Sequence, residues 1–573
     1  MDILEYVQFY ISAFISFFIA PSHPYHEAVL YGVISLLLMF MVRTLFITIT
    51  RSTGLYHIDH YAHWPRLPWR FFWNLWMVIY DWWQEVFTFG KRSTAGFTNV
   101  LSMFSLLYRK GMIPLGRAYA LGFGLLMPVG IKTKRHLMIV AMTGSGKTVF
   151  LTLLVRLWRS SVFLIDPKGS VTRSLSRLSK KKWHILAPYD KDISNASWNF
   201  FDEIKDFEKR YGADSVVGLV EKICEALIIK LPTENNPFFP SSARGFASAI
   251  ILHLRSAFPE EDHNPVFMYQ LITRGYWHKS SNAKIAFDLL LDDMLGSTAY
   301  NGAIASRVTA IADAGETTRG NVLSTLRDQI KWLSLPEVAP LITSSSFLCS
   351  ELKYRDDIVV SLAAPVSDLR GHLAPFSRLL TNILSYNFER ITGAKKYPCL
   401  FAVDEMQAQG YNEYVEQTVP LMRGHGVQFI GIVQDLEGLK KAYPHSWEGF
   451  LGNADAVIWM ASNHLGTNEY LSRVLGKTTR SQKIKGTSRR VENERELMTP
   501  EQVGRFLEAE KENIIVTRAG TRPLKLKLLK YYSDLPVTDY DSDPDHGEVL
   551  LRRLTRFILA RLNTENPKET NSS

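Results

Sequence analysis

Apolar and polar positions along the chain follow three patterns in succession. The first is lipid-like. Ile3 to Ala20 is uncharged apart from Glu5, and Ala28 to Ile49 is uncharged apart from Arg43, with the polar turn PSHPYHE between them. Each run is long enough to cross a hydrocarbon core of about 30 Å as a helix. Asp2 and Glu5 stand where a signal peptide carries Lys or Arg, so the first run reads as a retained span. Arg43, Arg51 and further basic residues lie at the far end of the second run, which sets both ends of the hairpin in the cytoplasm. The pattern therefore predicts two transmembrane helices within residues 1–50.

The second pattern is aromatic. In HWPRLPWRFFWNLWMVIYDWW, six of the chain's 13 tryptophans fall between Trp64 and Trp83. Asn74 and Asp81 interrupt the stretch, which makes it a poor span. Rings with polar edges prefer the headgroup zone, so residues 51–110 read as a juxtamembrane segment with a helix lying at the interface.

The third pattern starts near residue 111. Short, continuous apolar runs alternate with amphipathic stretches. HLMIVA, SVFLID, DIVVSLA, PCLFAVDE, VQFIGIVQ and ADAVIWM have the composition of strands buried on both faces of a mostly parallel sheet. Nearly two hundred residues separate SVFLID from DIVVSLA, and much of that interval has helical periodicity, as in DSVVGLVEKICEALIIK and SSARGFASAIILHLRSAF. The expected plan is an α/β domain in two parts, 111–204 and 321–540, with an all-α domain inserted over 205–320. Residues 541–573 then form a linker, the basic amphipathic stretch VLLRRLTRFILARL and a polar tail.

Composition narrows this only slightly. Hydrophobic residues make up 46% and charged residues 21%, which fits a folded core rather than disorder. The net charge of +10 suits nucleic acid, an anionic membrane face, or simply the basic cytoplasmic side of a membrane protein. Cys224, Cys349 and Cys399 lie far apart, so neither a disulfide framework nor a zinc site is expected.

The candidate chemistry begins at Ala141-Met142-Thr143-Gly144-Ser145-Gly146-Lys147-Thr148, which fits a phosphate loop except that Ala replaces the first Gly. Gly144 and Gly146 allow the curl that turns successive N–H groups onto a phosphate, and the following helix adds its positive end. Lys147 would bridge the β- and γ-phosphates of ATP, and the Thr148 hydroxyl would hold Mg²⁺. A second acid should come from another buried strand, and LFAVDE supplies Asp404 for Mg²⁺ and Glu405 to polarise the attacking water. A carboxylate that activates water points to hydrolysis. Gln434, ending the next strand, would sense the γ-phosphate. Arg423, on the turn LMRGHG, would complete a neighbouring subunit's site as an arginine finger, with Arg473 as a second candidate. KWLSLPEVAP and the basic RSQKIKGTSRR are candidate substrate or pore loops.

Taken with the two apolar runs, the order of AMTGSGKT, LIDPKGS, ASWNFFDEI, NPFFPSSARGF, LFAVDEMQ, MRGHGVQFIGIVQD, NEYLSRVLGKTT and RELMTPEQV resembles the type IV secretion coupling proteins, the TraG/TraD-like conjugation ATPases. The resemblance implies a RecA-like P-loop motor, assembled as a homo-hexamer at the bacterial inner membrane. It implies ATP and Mg²⁺ as cofactors and type IV secretion channel proteins as partners. Its cargo would be relaxase-bound DNA, single- or double-stranded and gripped independently of sequence, or effector proteins. Two features depart from relatives: the external loop is only seven residues, and the C-terminal end is basic where relatives carry an acidic tail. The alternatives are an FtsK/HerA-type DNA pump and a nucleotide-binding membrane scaffold with little hydrolysis.

Overall fold

In the computed structural model, the described residues are 95–98, 103–120, 125–230, 237–393, 395–483, 490–536 and 539–541. The expected transmembrane pair, most of the aromatic segment and the basic C-terminal stretch lie outside them. Among the described residues no helix is long and apolar enough to cross a membrane.

The continuous apolar runs form strands, because a strand covered on both faces has no polar side to alternate with. They are β3 (His136–Val140), β4 (Val162–Ile165), β6 (Ile358–Leu362), β7 (Cys399–Val403), β8 (Val427–Val433) and β9 (Ala454–Trp459). With β5 (Lys182–Leu186) they make a parallel array in the order β9-β3-β8-β7-β4-β6-β5. Registers such as Val140↔Val433 and Ile165↔Val403 bring the strand ends level, so residues just past each strand share one edge.

Four antiparallel strands extend the sheet beyond β9: β12 (Asn513–Arg518), β13 (Leu524–Lys527), β1 (Ile113–Ala120) and β2 (Leu125–Ile131). Separately, β10 (Lys477–Lys483) and β11 (Arg490–Glu496) pair antiparallel and carry Arg480, Ser481, Gln482, Lys483 and Arg490 of the basic RSQKIKGTSRR stretch, whose residues 484–489 lie outside the described residues.

Between β5 and β6 every described element is helical, from Phe200–Tyr211 through Glu351–Tyr354. The 20-residue helix Phe238–Ala257 is the centre of this region. Its residues from Phe246 to Leu254 are all buried, against helices Val216–Leu227, Ala299–Ala312 and Glu316–Ile330. Asparagines start several helices by accepting main-chain N–H bonds: Asn199 from Phe201, Asn264 from Phe267, and Asn282 from Lys284 and Ile285. KWLSLPEVAP differs from the loop expected of it. Lys331–Ser334 is a 3₁₀ turn, and Trp332, Leu333 and Val338 are buried, so the apolar side chains go into packing rather than onto a substrate. The three cysteines are free and buried.

Candidate nucleotide site

The phosphate loop leaves the sheet held on both sides. Ala141 N–H donates to the Val433 carbonyl at 2.8 Å and Met142 N–H to the Ala461 carbonyl at 3.0 Å. Ala141 is fully buried there, which accommodates the missing first glycine. Ser145 N–H closes a turn on the Met142 carbonyl at 3.2 Å. Gly144 and Gly146 have φ of 79° and 85°, a region that L side chains rarely adopt. At Gly146 a Cβ would also lie 2.4 Å from Leu528 Cδ2. Gly146 then caps helix Lys147–Leu157 without a side chain, so the first-turn N–H groups and the positive end of the helix belong to the loop. Thr143 and Gly144 are exposed, Thr148 is half-buried, and Ser145 is buried with no partner for its Oγ among the described residues.

Across the same edge, two strands away and past the end of β7, the Asp404 Oδ1 lies 3.6 Å from the Lys147 Nζ. Both side chains are almost fully buried. Burial pushes the Asp404 carboxyl up; the Lys147 ammonium opposes this and the Glu405 charge adds to it. Asp404 Oδ1 has no hydrogen-bond partner among the described residues. Glu405 adopts φ 66° and ψ 58°, a left-handed conformation costly for a side-chain-bearing residue. Its Oε1 accepts from Gln434 Nε2 and, at 3.4 Å, from Arg370 Nη2. The structure thus brings together Lys147, Asp404, Glu405 and Gln434, and it adds Arg370.

Sequence reasoning also missed Asp166. The LIDPKGS segment by itself assigns no role to its acid. Asp166 is fully buried just past β4, the neighbour of β7. Its Oδ2 accepts from Thr172 N–H at 2.8 Å and Thr172 Oγ1 at 2.9 Å, and its Oδ1 has no partner among the described residues. Burial pushes its carboxyl up to about 6 against the pull of the Thr172 bonds, and the nearby Asp404 charge adds to the rise. The signal available in the sequence was an acid directly after a buried apolar run.

Arg423 is not part of this cluster. It opens the 3₁₀ turn Arg423–His425 before β8, whereas Gln434 follows the end of β8. Seven strand residues separate the two ends by about 23 Å, so Arg423 sits at the opposite edge of its own sheet. His136 fixes that edge: its Nε2 pairs with the Val419 carbonyl at 2.6 Å and its Nδ1 accepts from Phe429 N–H at 3.0 Å. Arg473 lies on helix Leu465–Leu475, exposed and 5.9 Å from the Tyr470 ring centroid.

A phosphate loop on β3, an acidic pair on β7 and a polar residue ending β8 between them, in a mostly parallel sheet, define the RecA-like class of P-loop folds. A family model described as Type IV secretory system Conjugative DNA transfer matches residues 102–569. The chain belongs to that family. The Escherichia coli conjugal transfer protein TraG is 23% identical over 377 residues, covering 60% of this chain and 55% of that protein. Protein VirD4 of Rhizobium rhizogenes is 28% identical over 211 residues, 35% of this chain and 31% of that protein. The chain spans about half the length of the first of these relatives. Among solved structures, the bacterial conjugative coupling protein TrwBdeltaN70 superposes with a TM-score of 0.56 at 15% identity, covering 77% of this chain and 95% of that one. The plasmid coupling protein TrwB in complex with ADP and Mg²⁺ gives 0.55 at 15% identity, covering 77% and 96%. These likenesses are to the fold.

Proposed function

We propose that this protein is a membrane-anchored ATPase that couples ATP hydrolysis to delivery of DNA into a type IV secretion channel. The observation that carries the reading is the buried Lys147–Asp404 approach of 3.6 Å beside the Glu405–Gln434 pair. That arrangement offers a cation for the β- and γ-phosphates, a carboxylate with an uncommitted buried oxygen for a metal, and a second carboxylate for water. Thr148 and Asp404 would hold Mg²⁺, with the loop from Thr143 to Gly146 around the phosphates. The bound ion would neutralise charge developing on the phosphate oxygens. Glu405, oriented by Gln434, draws the proton from the attacking water. Arg423 serves the site of a neighbouring subunit in a homo-hexamer, a role its place at the far sheet edge favours.

The chain is divided functionally into a membrane hairpin (1–50), an interfacial segment (51–110), a motor in two parts (111–204 and 321–540) with an inserted helical domain (205–320), and a tail (541–573). The hairpin places it in the bacterial inner membrane beside channel components, with the bulk in the cytoplasm. The family's description as DNA transfer favours relaxase-bound DNA over effector proteins, and secretion coupling over an FtsK/HerA-type pump or a passive scaffold.

The test is phosphate release from ATP by the full-length chain in lipid nanodiscs, with and without single-stranded DNA. DNA should raise the rate several-fold, and Lys147→Ala should abolish it. Hydrolysis that DNA leaves unchanged would point to protein cargo. Hydrolysis that survives Lys147→Ala would overturn the motor.

A further inference from the structure

Arg378 is 2% exposed on helix Ala374–Arg390, and no carboxylate pairs with it among the described residues. A guanidinium buried without an anion is costly to keep, and burial pulls its pKa down to about 9. Two of its three nitrogens donate to main-chain carbonyls in two different places, and Nη2 has no partner among the described residues. Nε donates to Ala226 at 3.3 Å, in the last turn of helix Val216–Leu227, and Nη1 donates to Gln409 at 3.0 Å. The planar fork suits this double contact, which an ammonium cannot reproduce.

Gln409 closes the 3₁₀ turn Met406–Gln409 that directly follows Glu405. Its side chain is held as well: Gln409 Nε2 donates to Ser377 Oγ at 2.8 Å. Within the turn, Ala408 N–H donates to the Glu405 carbonyl at 2.7 Å. The left-handed backbone at Glu405 is therefore fixed at its far end by two adjacent residues of one helix, one of which also grips the helical region. A strained residue persists only where its surroundings over-determine it.

We infer that Arg378 is a positioning residue for hydrolysis: by clamping Gln409 against helix Val216–Leu227 it holds Glu405 in its left-handed conformation and its carboxylate against Gln434. The inference rests on the reading of Glu405 as the carboxylate that activates water. It predicts a split between catalysis and binding, because Lys147 and the phosphate loop lie on other strands. In the full-length chain, Arg378→Met should lower kcat for ATP about 10- to 100-fold, while KM and the affinity for a fluorescent ATP analogue stay within about twofold. Arg378→Lys, which can keep one carbonyl bond, should recover part of the loss. An unchanged kcat in an Arg378→Met chain that binds nucleotide overturns the inference. So does a parallel loss of nucleotide affinity, since that marks a purely structural role. If Arg378→Met gives no cooperative unfolding transition, Ser377→Ala is read in its place. It removes only the side-chain bond to Gln409 and should lower kcat about threefold or more at constant KM; no change overturns the inference. Glu405→Gln is measured alongside. If it hydrolyses at the wild-type rate, the reading of Glu405 has failed; if it is silent while Arg378→Met is active, only the positioning role has failed.

Discussion

Lys147 and Lys395 are buried to nearly the same degree at opposite ends of the parallel strands, with side chains 9% and 7% exposed, and their surroundings differ in kind. Lys395 Nζ donates to the carbonyls of Arg355 at 2.6 Å and Leu352 at 2.7 Å and to Ser161 Oγ at 3.0 Å, with Asp356 Oδ1 at 3.1 Å. Its neighbour Lys353 donates to the His425 carbonyl at 2.6 Å. Lys147 has Asp404 at 3.6 Å, outside hydrogen-bond range. The Lys147 end also holds the left-handed Glu405 and the buried carboxylate oxygens of Asp404 and Asp166 that lack hydrogen-bond partners among the described residues. Strain and unpaired carboxylate oxygens gathered around one buried lysine are what a site awaiting a charged ligand shows. At the other end the Lys395 ammonium is saturated by bonds to the carbonyls, hydroxyl and carboxylate around it, which hold the sheet in shape.

That contrast can be broken most severely at Arg423. It sits at the architectural end, yet its assigned role is chemical. Arg423→Ala should lower kcat by about 10³ in the assembled protein with little change in the unfolding midpoint. Mixing Arg423→Ala chains with Glu405→Gln chains should restore part of the activity, because some interfaces then pair an intact finger with an intact carboxylate. No recovery on mixing would place the finger elsewhere.

Lys395→Ala should do the reverse. Leaving its carbonyl partners and Asp356 without their cation should cost about 2–4 kcal/mol of stability by denaturant unfolding. Nucleotide affinity should stay within a few-fold of wild type. At the other end, Gly146→Ala meets both an unfavourable φ and the Leu528 side chain. A loss of about 1–3 kcal/mol is expected together with weakened nucleotide binding. Adding Leu528→Ala should relieve the clash but not the backbone term, which the same unfolding curves would resolve.

The last effect is read only through pH and concerns a buried acid of the helical region. Glu203 Oε1 accepts from Trp198 Nε1 at 2.8 Å and Cys349 N–H at 2.6 Å. Burial nevertheless pushes its carboxyl from 4.5 to about 7. Between those values the folded state keeps a proton that the unfolded chain has released, so stability falls as pH rises, by about 3 kcal/mol at most. Glu203→Gln should flatten that slope, as read from denaturant midpoints at pH 5 and pH 8.

The parallel half of the sheet was legible in the sequence because burial on both faces leaves an uninterrupted apolar signature. β5 was not, because KWHIL mixes Lys182 and His184 into the run; His184 is buried, 5.0 Å from the Phe347 ring. β1 and β2 escaped because Pro114, Gly116, Pro128 and Gly130 read as turn residues. Gly116 is needed for close approach, since a Cβ there would lie 2.8 Å from Leu526 Cβ. At the site, the phosphate loop and the acidic pair were visible from local spacing. The partnerships of Arg370 with Glu405 and of Arg378 with Ala226 and Gln409 arise only when elements distant in sequence meet, and no spacing encodes them; Asp166 differs, since its partner Thr172 lies six residues away.

The central claim is that the Lys147–Asp404–Glu405 edge hydrolyses ATP, and one paired measurement tests it most directly. Nucleotide affinity and single-turnover phosphate release are followed in the full-length chain and in Glu405→Gln. The account predicts that the variant binds ATP within a few-fold of wild type and releases phosphate at least about 100-fold more slowly. Phosphate release by Glu405→Gln at the wild-type rate would contradict it.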